Sequence, residues 1–156
     1  MTLYDNLLIE CDENDIEVYE MKMGTKGLYS DNVIWINKSI TGIAKRGCVL
    51  AEELGHHYTS VGNILNQSKT NNIKQEKRAR SWAYEKVIPL NKFIEAHKNL
   101  ISSKFELAEF LSVTEDFLDE ALERYKEKYG LFVEFKGFTI RFEPLAVFEW
   151  FEYKNF

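Results

Sequence analysis

A chain of 156 residues, 45% of them hydrophobic, has the length of one domain and enough apolar side chains to build its own core. Its formal charge of -5 argues against a surface made to coat a phosphate backbone, so direct nucleic-acid binding is not expected. The two cysteines, Cys11 and Cys48, lie far apart with no CxxC spacing, which suggests neither a disulfide framework nor a thiolate metal site and suits a reducing cytoplasm.

The opening residues show no basic stretch leading into an apolar one, and no window approaches ~18 uninterrupted apolar residues, so neither a signal peptide nor a membrane span is expected. Leu3, Leu7 and Leu8 recur at helical spacing and predict a short first helix. "IEVYEM" alternates with period two, and "LYSDNVIWIN" reads as two short strands around Asp31-Asn32, so residues 16 to 37 predict a small antiparallel sheet. From Thr41, taken as N-cap, the period turns helical, with Ile43, Gly47, Leu50, Ala51, Leu54 and Tyr58 on one stripe. "SVGNILNQSKTNN" breaks that helix, and another runs from Ile73 to Ile88, stopped by Pro89. Further helices follow, the last capped by Thr114 and ended by Gly130, before two alternating segments around "FKGF" predict a C-terminal hairpin. The expected architecture is a single α+β domain over 1–156, helices packed on a small sheet.

The chemistry is concentrated in "AEELGHHY", residues 51 to 58, which holds two of the three histidines of the chain. Residues four apart on a helix share a face, so Glu52 and His56 can aim at one ion with Glu53 beside them. Two ligands one turn apart, with a Glu after the first, are the working parts of an HExxH zinc motif, here with Glu in place of the first His. The alternative pair, Glu53 with His57, is also one turn apart but consumes the residue in the general-base position. Neighbouring helical positions diverge by ~100°, so His57 is expected to stand behind the ligands or to face substrate. A third ligand is offered by Glu76, on a row otherwise filled by Ile73, Ala79, Ala83 and Val87, the alanines allowing close helix approach.

"CVLAEELGHHYTSVGNI" followed by "KQEKRARSWAYEKVIPL" resembles the ImmA/IrrE family of metallopeptidases, over roughly residues 27 to 130, leaving 131–156 as a C-terminal extension. The resemblance implies a zincin-like fold, with His56 and Glu76 as metal ligands, Glu53 as the catalytic Glu, and Glu52 at the position of the first ligand. It implies Zn2+, with Mn2+ or another divalent ion as the alternative that two carboxylate ligands admit. It also implies a cytoplasmic endopeptidase whose substrate is a protein, the helix-turn-helix repressor of a phage or mobile element. An edge strand near "VIWIN" is expected to take up that substrate as an added strand.

Plainer readings compete. The basic stripe from Lys69 to Lys86 is diluted by Glu76 and Glu85 and reads as a solvated face. "ELAEFLSVTEDFLDEALERY" has the cadence of a helix-turn-helix, but its second helix is too acidic for DNA and reads as a packing pair. The aromatic tail reads as core or docking surface, and His97 as a surface residue. The rival function is a non-catalytic interaction module on a zincin scaffold with a degenerate metal site.

Overall fold

Thr2 opens the first helix: its hydroxyl accepts the Asp5 N–H at 3.2 Å, while the Asp5 carboxylate accepts the Thr2 N–H at 3.0 Å. The computed structural model describes the backbone of residues 1–60 and 69–150, and the side chains of these apart from 69–71. The elements are α1 (Leu3–Glu13), β1 (Glu17–Met21), β2 (Gly27–Ser30), β3 (Val33–Asn37), α2 (Ile43–Thr59), α3 (Lys69–Val87), α4 (Leu90–Lys98), α5 (Lys104–Leu111), α6 (Glu115–Tyr129), β4 (Phe132–Phe135), β5 (Phe138–Phe142) and β6 (Leu145–Glu149). The break expected after Tyr58 lies for the most part outside the described residues. Two helix starts differ from expectation: that of α3, at Lys69 rather than Ile73, and that of α2. α2 is preceded by Gly42 without a side-chain cap, so Thr41 does not serve as N-cap, whereas Thr114 does cap α6, accepting the Phe117 N–H at 3.1 Å.

The first sheet runs β1-β3-β2. β2 and β3 form the expected antiparallel pair, joined by a tight turn in which Asp31 and Asn32 both take left-handed backbone angles, while β1 lies parallel to β3. Ile34 and Ile36 point from β3 into the core and are wholly buried. β3 is therefore paired on both sides. The expectation of a free edge near "VIWIN" is corrected: among the described residues the edges of this sheet are β1 and β2.

α2 packs on this sheet with Gly47, Leu50, Ala51 and Leu54 buried, while Ile43 and Tyr58 at its two ends remain exposed. α3 lies against α2 along Ala79 and Ala83, both fully buried. The crossing is set by Gly55, where an added Cβ would come within 2.2 Å of the Ala79 carbonyl oxygen. Only a residue without a side chain permits that approach. The C-terminal part is a three-stranded antiparallel sheet β4-β5-β6, one strand more than the expected hairpin, its buried Phe138, Ile140 and Phe142 covering α4 and α6.

Candidate metal centre

α2 presents two rows of side chains to two different neighbours, because positions four apart share a face and adjacent positions diverge by ~100°. Val49, Glu53 and His57 form the row facing β2. Strand alternation puts Gly27 and Tyr29 on one face of β2, and they meet that row: a Cβ on Gly27 would lie 2.9 Å from both Val49 and the Glu53 Oε1, and the Tyr29 hydroxyl is 2.8 Å from His57 Nδ1. Glu52 and His56 form the second row, toward α3. There His56 Nε2 lies 2.9 Å from Glu76 Oε1, and Arg80, one turn further along α3, reaches the other Glu76 oxygen at 3.8 Å.

Between the rows lies a cavity of about 400 Å³, lined by Gly27, Leu28, Tyr29, Glu53, His56 and Glu76 among others. The structure thus brings Glu53, His56 and Glu76 to one cavity. Glu52 and His57 do not line it. Among the described residues no group of three or more His, Cys, Asp and Glu side chains is gathered tightly enough to hold an ion as it stands.

The carboxyls here are electrostatically uneasy. Burial pushes the Glu53 carboxyl up to about 8, with the Glu76 and Glu52 carboxylates adding to the rise. Burial also pushes Glu52 up; Arg80 opposes it, and Glu120 and Glu76 reinforce it. Two carboxyls of raised proton affinity, Glu52 and Glu53, beside the Glu76 carboxylate are a set that a divalent cation would stabilise, and an imidazole beside them completes an N/O donor set suited to zinc. By the chemistry of its donors the site fits such an ion. Its foundation is the contact between His56 and Glu76 across two helices.

Tyr29 is the site residue that the motif did not reveal. Its signal lay in the period of "GLYS", which places it on the face of β2 shared with Gly27. The other aromatic candidates are engaged elsewhere: Tyr84 donates to Glu120 at 2.6 Å, and Tyr58 stacks on Trp82 at 4.9 Å between centroids.

An active-site-type helix bearing Glu-x-x-His, a carboxylate on the next helix and a small sheet beside them define a zincin-like domain of metallopeptidase type. The chain belongs to the peptidase family described as IrrE N-terminal-like domain, whose model matches residues 11–123, from the end of α1 into α6. The match takes in both helices of the candidate site. Among curated proteins no match was found.

Proposed function

We propose that the chain is a divalent-metal-dependent endopeptidase of the ImmA/IrrE type. Zn2+ is the expected ion, Mn2+ the alternative; Glu52, His56 and Glu76 hold it, and Glu53 moves the proton. The observation that carries this reading is the convergence of His56 and Glu76 from separate helices, at 2.9 Å, on a cavity that also contains Glu53. A divalent ion held there supplies Lewis acidity to a water and to the scissile carbonyl. Glu53 takes a proton from the attacking water and returns it to the leaving amine. The bare backbone at Gly27 leaves room for its carboxylate against β2. Among the described residues β2 is paired on one side only, so an extended substrate segment can add along that edge and pass the cavity. The proposed substrate is the helix-turn-helix repressor of a phage or mobile element, met in the cytoplasm. No helix of the described residues is long and apolar enough to cross a membrane.

The second reading, a non-catalytic interaction module, is favoured by one observation: the would-be ligands are not gathered as a threesome. Incubation with a degenerate peptide library, with zinc or manganese present and mass-spectrometric readout, separates the two. The peptidase reading expects discrete cleavage that is lost on chelation and in Glu53→Gln. Intact peptides under both metals would leave the interaction module.

A further inference from the structure

We infer that Tyr29 is a catalytic hydrogen-bond donor, its hydroxyl serving the carbonyl oxygen on which negative charge develops during peptide cleavage. The inference rests on the peptidase reading and goes beyond it, because nothing in the Glu-x-x-His motif or the α3 carboxylate implicates β2. Three observations carry it.

Tyr29 lines the same cavity as Glu53, His56 and Glu76. The ring is fixed: it meets His57 edge-on, with centroids 5.4 Å apart and planes at 78°, and its hydroxyl lies 2.8 Å from His57 Nδ1. The phenol oxygen also accepts the backbone N–H of Asn32 at 3.3 Å, from the tight turn between β2 and β3. A phenol oxygen has two lone pairs and one proton. On this inference His57 takes its Nδ1–H tautomer: with Asn32 donating to one lone pair of the phenol oxygen and His57 to the other, the single O–H is left to point into the cavity. The two donors polarise the hydroxyl toward giving a stronger hydrogen bond, at no cost in reorganisation when the charge appears. His57 and Asn32 are on this account positioning residues, and the His57 that follows the ligand His56 acquires a role that does not require it to touch the metal.

The geometry also explains why the donor comes from β2. A substrate added along this edge strand carries its carbonyls past Tyr29 at strand spacing, whereas Tyr58 and Tyr84 are committed to Trp82 and Glu120.

The test uses the full chain loaded with zinc, a peptide taken from the library cleavage, and a phosphonamidate that replaces its scissile amide. Tyr29→Phe keeps the ring and deletes the hydroxyl. The expected result is a fall in kcat of about a hundredfold or more, with KM changed little. Zinc content should be unchanged. Affinity for the phosphonamidate should fall by a comparable factor, while affinity for the intact peptide, measured in a Glu53→Gln background, is kept. His57→Ala should lower kcat by a smaller factor, with partial rescue in His57→Gln, which can still donate to the phenol oxygen. Equal kcat and equal phosphonamidate affinity in wild type and Tyr29→Phe, with Glu53→Gln inactive, would overturn the inference and leave the peptidase reading intact. Parallel losses of zinc and of peptide affinity in Tyr29→Phe would also overturn it, by assigning Tyr29 a structural role. If the wild type cuts no peptide with zinc bound, the peptidase reading fails, and the inference fails with it.

Discussion

The corner where α2 meets β2 and α3 is packed by a different means from the half of the chain that runs from α4 to β6. In the second region rings fill the space: Tyr125 stacks on Phe142 with centroids 5.5 Å apart, and Phe93 stands edge-on to both. The Tyr125 hydroxyl is satisfied by donating to the Ile88 carbonyl at 2.7 Å, and the three rings are buried. In the first region the filling is done by absence. Gly55, Ala79, Ala83 and Gly27 let backbones and side chains come close, and the space they free is taken by half-buried carboxyls and an imidazole. Close backbone approach thus positions polar groups that ring packing would displace, which separates where the chain gains stability from where it holds its chemistry.

That division can be broken in several ways. Phe142→Ala, in the ring-packed region, should cost about 3–5 kcal/mol of stability in urea unfolding, with zinc affinity of the folded fraction unchanged. A zinc affinity that falls with the fold intact would join the two regions. Gly55→Ala pushes a methyl group into the Ala79 carbonyl and should destabilise by roughly 1–3 kcal/mol. Unlike Phe142→Ala, it should also weaken zinc binding, since it moves α3 and Glu76 away from His56; calorimetric titration reads this directly.

The acids give a pH signature. The folded state holds the Glu53 proton at about 8 against an ordinary 4.5, so its contribution to stability is complete below the ordinary value and is lost as pH rises through about 8. The metal-free protein should therefore melt lower at about pH 9 than at about pH 5, a chain of this size shifting ~2–4 °C for each kcal/mol. Glu53→Gln should remove part of that slope, and a slope unchanged by the substitution would show that this carboxyl is not the group responsible. The smallest effect belongs to Arg80→Ala. Its pair with Glu76 is half exposed and long at 3.8 Å, so stability should change by less than about 1 kcal/mol in thermal unfolding.

Much of the corner was legible in the sequence because a helix obeys a fixed period. Glu52, Glu53, His56 and His57 sort into two rows from spacing alone, and the alanines after Glu76 predict the close crossing that the structure contains. The partition of the rows was not legible, since which face meets β2 and which meets α3 depends on how the sheet is placed. Tyr29 was missed for the same reason: a four-residue strand carries no motif, and its meaning comes from Gly27 two residues before it. The β-branched residues of "VIWIN" mark a strand but not its place in the sheet. A short apolar strand looks the same at the edge and at the centre, and its full burial of Ile34 and Ile36 reflects a central position. Thr41 was a reasonable cap by residue type, but the helix begins one residue later than a Thr41 cap requires, after Gly42. The third strand of the C-terminal sheet, β6, escaped notice because "LAVFE" follows Pro144 and lacks strict alternation.

The central claim is that α2 and α3 meet so that His56 and Glu76, with Glu52 on the same row, grip one cation. Titration of metal-free protein with zinc, followed by calorimetry, tests it most directly. One ion per chain is expected to bind, with affinity falling by more than about tenfold in each of Glu52→Gln, His56→Ala and Glu76→Ala, and unchanged in His97→Ala. A protein that takes up no zinc, or that binds it as tightly after His56 and Glu76 have both been removed, would contradict the account.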